Sequence, residues 1–335
     1  MNVGQPIPRN SNEYQWVRNA IRSVEKLSGR PSRWNGELYE EPRKGVLGSA
    51  KDGGAMTLSV DRVLKPIAMA YTAGRPLTED ELVQVRDAVL TVVHEADHLG
   101  HPLGDENAAG ATPVYSPDNL AVEEGLTETW AHRNVDAVIR DAGMHVANPE
   151  LLTTDSGDSY PAYTAATDEL ISGAAQVSGL PPSQVRAAME QADRTQRFAA
   201  VADLVIDERL ADVMPPQDRE AVQAQLIQTM RPPFGEVAVS QQSDQLSGVE
   251  KSIAGHQSAQ RAVTALSTTT AGLEEQYRNA AAQGQASPEV DHLRKFLGGA
   301  PPQAGSYRGG QGDGAVPDNV RALRAKPEKG QSPAR

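Results

Sequence analysis

The chain has 335 residues, and at about 150 residues per domain this length predicts two domains, or one domain with tails. Its formal net charge of −12 argues against a nucleic-acid-binding protein, whose surface would be basic. The absence of cysteine excludes disulfides, thiolate nucleophiles and cysteine zinc sites.

The chain shows no targeting or membrane-spanning segment. Its first residues lack the apolar core of a secretory signal, and no run of about 18 apolar residues is present. The sequence therefore predicts a soluble cytoplasmic protein with no membrane partner. Non-classical export stays open, and no feature indicates an oligomeric state.

Three zones of different composition follow one another along the chain. Residues 12–146 hold all three tryptophans and five of the seven histidines. Residues 160–290 are rich in Ala, Gln and Val at helical spacing, whereas residues 298–335 have almost no bulky apolar side chains. We therefore predict an α+β subdomain over 12–146, a mostly helical subdomain over 150–295 and a disordered tail over 298–335.

The first predicted elements are a helix and a small sheet. Apolar residues recur at steps of three and four, which predicts a helix over 12–27 that ends at Gly29. Strand-like stretches follow within residues 34–60, and two of them flank the turn-forming Asp52-Gly53-Gly54. These stretches predict a small antiparallel sheet.

Long helices come next. Thr78 and Glu81 form a capping box that begins a helix, and Gly100 is placed to end it. A second long helix is predicted from Pro117 to Gly143, since proline is favoured at a first helical position. The second zone predicts four or more helices, with breaks at three proline pairs: Pro181-Pro182, Pro215-Pro216 and Pro232-Pro233.

The first of these long helices carries an H-E-x-x-H motif, His94-Glu95-Ala96-Asp97-His98. Residues four apart lie on one face of a helix, so both imidazoles can reach one Zn²⁺ at roughly 2.0–2.1 Å. Glu95 flanks the same edge and can take a proton from a water that the metal holds. The alternative is a pair of surface histidines beside carboxylates.

A catalytic zinc site needs a third protein ligand. The metzincin extension would place Gly at position 101 and His at position 104, whereas this sequence has His101 and Gly104. The next helix instead offers Glu124-Gly125-Leu126, 26 positions after His98. The H-E-x-x-H motif followed by E-G-L resembles the gluzincin branch of the zinc metallopeptidases.

That resemblance covers roughly residues 50–135 and implies roles for two glutamates. Glu124 aligns with the third zinc ligand of the family, and Glu128, one turn further on, aligns with the carboxylate that orients a histidine ligand. Glu123 is the nearest competitor for the metal, although it points roughly 100° away from Glu124. An exposed acidic helix face is the alternative for all three.

The resemblance also implies features that are less closely matched. Gluzincins usually carry uncharged residues between the two histidines, so Asp97 departs from the pattern. It either bonds a metal-bound histidine or faces solvent. The family draws an oxyanion donor from later helices, and Tyr163 is the candidate here, with His132 as the runner-up. Residues Gly54–Ser59 align with the edge strand that binds extended peptide.

Two classes of function follow from these residues. In the first, the protein is a zinc-dependent peptidase of peptide or protein substrates, with His94, His98 and Glu124 as ligands and Glu95 as general base. In the second, it is a non-catalytic interaction protein on a zincin scaffold. A variant of the first is a protease delivered as an effector or toxin. The expected fold is α+β and zincin-like.

Overall fold

The structure, a computed structural model, describes residues 4–283. Within this range the chain forms two compact units. Unit 1 comprises residues 4–102 and 127–160, and unit 2 comprises residues 103–126 and 161–283. The predicted tail over 298–335 lies outside the described residues.

The described residues are mostly helical and include one small sheet, as an α+β fold requires. The α-helices are α1 (Asn12–Ser28), α2 (Lys65–Thr72), α3 (Glu79–Gly100), α4 (Pro117–Asp141), α5 (Met144–Ala147), α6 (Pro161–Ser178), α7 (Pro182–Gln191), α8 (Arg197–Val205), α9 (Arg219–Gln242) and α10 (Gly248–Gln283). The strands are β1 (Leu38–Glu40), β2 (Gly48–Ala50) and β3 (Met56–Leu58). None of the described helices is both long and apolar enough to cross a membrane.

Helix α1 confirms the prediction from its apolar spacing. Ser11 caps its start by accepting a hydrogen bond from the backbone N–H of Tyr14, and its apolar face is buried in unit 1. Gly29 follows the helix in the left-handed conformation, with φ of 69°, which glycine adopts without steric cost.

The sheet of unit 1 is mixed, so the prediction of an antiparallel sheet is wrong for one of its two pairings. Strand β2 pairs antiparallel with β3, whereas β1 pairs parallel with β3, in the order β1-β3-β2. A simple meander would keep strands in chain order and antiparallel. Here β3 lies between its two predecessors, antiparallel to β2 and parallel to β1.

The position of β3 also corrects the predicted role of Gly54–Ser59. Strand β3 is hydrogen-bonded on both sides and therefore has no free edge for an extended peptide. The outer side of β1 is bridged by the N-terminal segment, where Pro6 pairs with Tyr39. Strand β2 presents an edge of the sheet to the helix that carries the H-E-x-x-H motif. The backbone N–H of Ala50 in this strand donates a hydrogen bond to Glu95 of the motif.

Helix α3 begins with the predicted capping box. The Thr78 hydroxyl accepts from the Glu81 backbone N–H, and the Glu81 carboxylate accepts from the Thr78 backbone N–H at 2.8 Å. From Leu90 to Gly100 every residue of the helix is buried. The motif therefore lies in the core of unit 1 and not on a solvated surface. The next residue, His101, is already extended.

Unit 2 confirms the predicted proline breaks except one. Pro182 begins α7, and Pro215-Pro216 precede α9. Pro232 and Pro233 lie inside α9, so the break predicted there is wrong. Met230 and Phe234, on either side of the pair, are fully buried, and this tertiary packing offsets the hydrogen bonds that the prolines remove.

Candidate metal centre

His94 and His98 present their imidazoles to each other within the buried part of α3. Both side chains are almost completely excluded from solvent, and their Nε2 atoms lie 3.0 Å apart. Ligand atoms of one tetrahedral shell with bonds of about 2.0–2.1 Å would lie roughly 3.3 Å apart. The two rings are thus close to the spacing that one shared cation requires.

Glu124 completes a group that can hold a metal ion. A ligand atom from each of His94, His98 and Glu124 lies within 4.8 Å of the other two, and all three residues are buried. Two imidazole nitrogens and one carboxylate oxygen form the donor set of catalytic zinc sites, which keep a further position for water or substrate. The three residues can therefore hold a metal ion.

Glu128 fixes the orientation of His94. Its Oε2 lies 2.8 Å from His94 Nδ1, so the ring donates its Nδ1–H there and directs the Nε2 lone pair towards His98. The other oxygen accepts from the Ser159 backbone N–H at 2.9 Å. Burial would raise the pKa of Glu128, but hydrogen bonds from His132 and His94 outweigh it and lower this pKa to about 2. Glu128 is therefore a carboxylate at neutral pH.

Glu95 is anchored to strand β2. Its Oε2 accepts a hydrogen bond of 2.6 Å from the Ala50 backbone N–H, and the side chain is fully buried. Gly48 permits this approach, because a Cβ atom there would lie 3.0 Å from Glu95 Cγ. The strand edge and the predicted general base are thus in direct contact.

Asp97 is buried and ion-paired. Its Oδ1 accepts from the Arg30 guanidinium at 2.7 Å, and its Oδ2 lies 3.5 Å from His101 Nδ1. The side chain is 1% exposed, so the interpretation that Asp97 faces solvent is wrong. Its charge is compensated by Arg30, on the segment that follows α1.

Glu123, the competitor of Glu124, has partners within unit 2. Its carboxylate oxygens lie 2.6 Å from Arg194 Nε and 3.0 Å from Arg197 Nη2, and all three side chains are buried. A helix turns roughly 100° per residue, so a Glu123 that faces these guanidinium groups leaves Glu124 facing another direction. The metal-sized group contains Glu124 and not Glu123.

Tyr160 is the tyrosine whose ring contacts the candidate metal centre. The sequence did not indicate a role for it. Its ring stacks on His94 with centroids 5.5 Å apart and planes inclined by 22°. Tyr163, the predicted oxyanion donor, is buried in α6, and its carbonyl packs against Gly125. Both tyrosines belong to the segment Tyr160-Pro161-Ala162-Tyr163. The sequence therefore indicated the correct segment but not which of its two tyrosines contacts His94.

In comparisons with known proteins, no family model, no curated protein and no solved structure matches this chain. The functional interpretation therefore depends on the motif residues and on their geometry.

Proposed function

We propose that this protein is a zinc-dependent peptidase that hydrolyses peptide bonds in a peptide or protein substrate. The observation that carries the proposal is the buried convergence of His94, His98 and Glu124 beside Glu95. Glu128 supports it, because a buried carboxylate on the far nitrogen of a histidine is the usual partner of a metal-binding imidazole.

His94, His98 and Glu124 would hold the zinc ion. When bound, zinc supplies a water whose pKa is lowered to about 7 and polarises the carbonyl of the scissile bond. Glu128 keeps the His94 ring in the tautomer whose Nε2 can act as a ligand. Burial of the whole group excludes bulk water, which strengthens each electrostatic interaction in it.

Glu95 is the proposed general base. It takes a proton from the attacking water as the water oxygen bonds to the carbonyl carbon, and it gives this proton to the leaving nitrogen as the C–N bond breaks. The hydrogen bond from the Ala50 N–H holds the carboxylate in place on α3. Ala50 belongs to strand β2, so this strand end would lie beside the proposed base.

Tyr163 is the proposed oxyanion donor, with His132 as the second candidate. Tyr160 enters as a third, because it is the tyrosine whose ring contacts His94. Tyr163→Phe and Tyr160→Phe, made separately, distinguish the two tyrosines. The variant that lacks the true donor's hydroxyl should show a kcat lower by roughly 10²–10³-fold, while its zinc content stays at the wild-type value.

Elemental analysis of the purified protein, combined with digestion of a proteome-derived peptide mixture, tests the proposal. We expect bound zinc, cleavage that a chelator abolishes, and a Glu95→Gln variant that keeps zinc but loses cleavage. Glu79→Gln is the matched control, because it makes the same change at an exposed position of the same helix. Zinc without cleavage by the wild type would favour the interaction-protein interpretation, and cleavage by Glu95→Gln would refute the assignment of the base.

A further inference from the structure

A groove in unit 1 lies between α1, α2 and the end of α4. Its volume is about 530 Å³, and Trp16, Ile67 and Tyr71 supply apolar parts of its walls. The positions of α1 that line it extend from Asn12 to Ser23. All of its lining residues belong to unit 1, and none of them belongs to the candidate metal centre. We call this feature the Trp16 groove.

Two aromatic side chains shape the groove, and hydrogen bonds hold both of them in place. The Trp16 Nε1–H donates to the Tyr71 hydroxyl at 2.9 Å, and this hydroxyl donates to the carbonyl oxygen of Ala142 at 3.0 Å. Trp16 is 9% exposed, whereas Tyr71 is 50% exposed. Because their polar groups already bond within the protein, the two rings offer a ligand their faces. Such faces attract apolar carbon and also cations.

The dimensions of the groove limit what can enter it. The lined part of α1, from Asn12 to Ser23, is roughly 16 Å long at a rise of about 1.5 Å per residue. A volume of about 530 Å³ spread over that length gives a mean cross-section of roughly 30 Å². A helix about 10 Å wide needs roughly 80 Å². The groove therefore admits an alkyl chain or a single ring, and it is too narrow for a partner helix.

The polar groups of the groove favour a positive charge. Among the described residues that line it, Glu13 and Asp141 are acidic and none is Lys, Arg or His. Asp141 is the last residue of α4, and the carbonyl groups at the C-terminus of a helix attract cations. The acidic end of the groove at Asp141 is thus the better place for an ammonium group.

An ammonium of the chain itself already stands near this carboxylate. Asp141 Oδ2 accepts from the Ser23 hydroxyl at 3.1 Å and lies 3.7 Å from Lys26 Nζ. The Lys26 side chain is 75% exposed and does not line the groove. An exposed ion pair at this distance contributes little to stability. A ligand ammonium that enters from the groove can therefore replace it.

We propose that the Trp16 groove binds a small organic cation. Its ammonium group would lie at Asp141, and its apolar body, a short alkyl chain or a single ring, would lie against Trp16 and Tyr71. This site does not depend on zinc or on the proposed peptidase function.

Isothermal titration calorimetry of the full chain with 4-phenylbutylamine at pH 7 tests the proposal. The alcohol 4-phenylbutan-1-ol and the acid 4-phenylbutanoate have the same carbon skeleton and differ in charge. We expect the amine to bind with a Kd of about 1 mM or lower, as suits a ligand of this size. The alcohol should bind at least roughly threefold more weakly and the carboxylate at least roughly tenfold more weakly.

Three kinds of variant locate the site. Asp141→Asn should weaken binding of the amine by roughly three- to fivefold and leave binding of the alcohol unchanged. Lys26→Met removes the competing ammonium and should tighten binding of the amine by up to roughly fivefold. Ala68→Phe fills the groove from α2 and Asn19→Trp fills it from an exposed position of α1. Each filled variant should weaken binding of both amine and alcohol by at least roughly tenfold.

Two matched controls make the same changes elsewhere. Asp61→Asn removes an exposed carboxylate of unit 1, and Ala109→Phe enlarges an exposed alanine; neither residue lines the groove. Both should bind the amine like the wild type, and circular dichroism identifies any variant that fails to fold. No saturable binding of the amine, equal binding of amine and carboxylate, or binding that folded Asp141→Asn and Asn19→Trp both leave unchanged would overturn the proposal.

Discussion

Gly125 follows the proposed ligand Glu124, and its replacement by alanine tests whether close helix packing holds that ligand in place. In unit 2, a Cβ atom at Gly125 would lie 2.5 Å from the carbonyl oxygen of Tyr163 and 2.3 Å from Thr167 Oγ1. An ordinary contact begins at 3.4 Å, so the first distance is 0.9 Å too short. The Tyr163 oxygen is a backbone atom and cannot rotate away. Helix α4 must therefore move relative to α6.

The magnitude follows from two opposing effects. Overpacking of a well-packed interior costs about 1–3 kcal/mol, and a backbone clash belongs at the upper end of this range. The higher helix propensity of alanine offsets about 1 kcal/mol of this cost. We expect Gly125→Ala to lower the free energy of unfolding by about 2 kcal/mol. It should also weaken zinc binding, because the neighbouring carboxylate shifts with the helix.

Urea unfolding followed by circular dichroism measures the stability, and competition with a chromophoric chelator measures zinc affinity. Gly272→Ala is the matched control, because a Cβ atom there meets nothing within 4 Å in helix α10. It should stabilise the protein by up to about 1 kcal/mol. Thr167→Ala added to Gly125→Ala should restore only part of the loss, since the carbonyl contact remains. If Gly125→Ala were as stable as Gly272→Ala and bound zinc equally well, the packing argument would be wrong.

Further predictions concern three carboxylates. Glu128→Gln should weaken zinc binding by about 10–100-fold with little change in far-UV circular dichroism, because His94 loses a charged partner on Nδ1; unchanged affinity would argue against the orienting role. Asp97→Ala should destabilise unit 1 by about 1–3 kcal/mol in urea, because the buried ion pair with Arg30 is lost, while zinc content stays near wild type; a large zinc loss would show that Asp97 acts on the metal centre. Burial raises the pKa of Glu41, but hydrogen bonds from Arg43 and Thr57 outweigh it and lower the pKa below 4.5 in the folded state. Its stabilising effect is therefore present above pH 4.5 and lost as the pH falls through the folded pKa. The free energy of unfolding of Glu41→Gln should be lower than that of the wild type at pH 7 and should approach it in acid. A difference in this free energy that does not shrink in acid would contradict the prediction.

The sequence predicted those parts of the structure that depend on local signals. The capping box at Thr78 and the helix end at Gly29 each involve residues within one or two turns, and both predictions are confirmed. The pairing of His94 with His98 is equally local, because helical spacing alone brings residues four apart together.

The remaining features depend on partners that are distant in sequence. Sequence spacing could not decide between Glu123 and Glu124, and the structure shows that Arg194 and Arg197, about 70 positions away, pair with Glu123. The stacking of Tyr160 on His94 is another long-range contact without a local pattern.

Two predictions, the helix break at Pro232-Pro233 and the fully antiparallel sheet, were wrong because contacts distant in sequence overrode the local patterns. Pro232 and Pro233 predict a break, but buried neighbours on both sides keep α9 continuous. The turn Asp52-Gly53-Gly54 predicts the antiparallel pairing of β2 with β3, but no local pattern predicts that β1 pairs parallel with the other side of β3.

Zinc content per chain, measured on the purified protein and on single-ligand variants, tests the central claim most directly. We predict one zinc ion per wild-type chain, and loss of this ion in His94→Ala and Glu124→Ala. The control Glu123→Gln should keep it, because Glu123 pairs with arginines outside the metal group. A wild-type protein that stays metal-free in excess zinc, or a Glu124→Ala variant that binds zinc as tightly as wild type, would contradict the proposed centre.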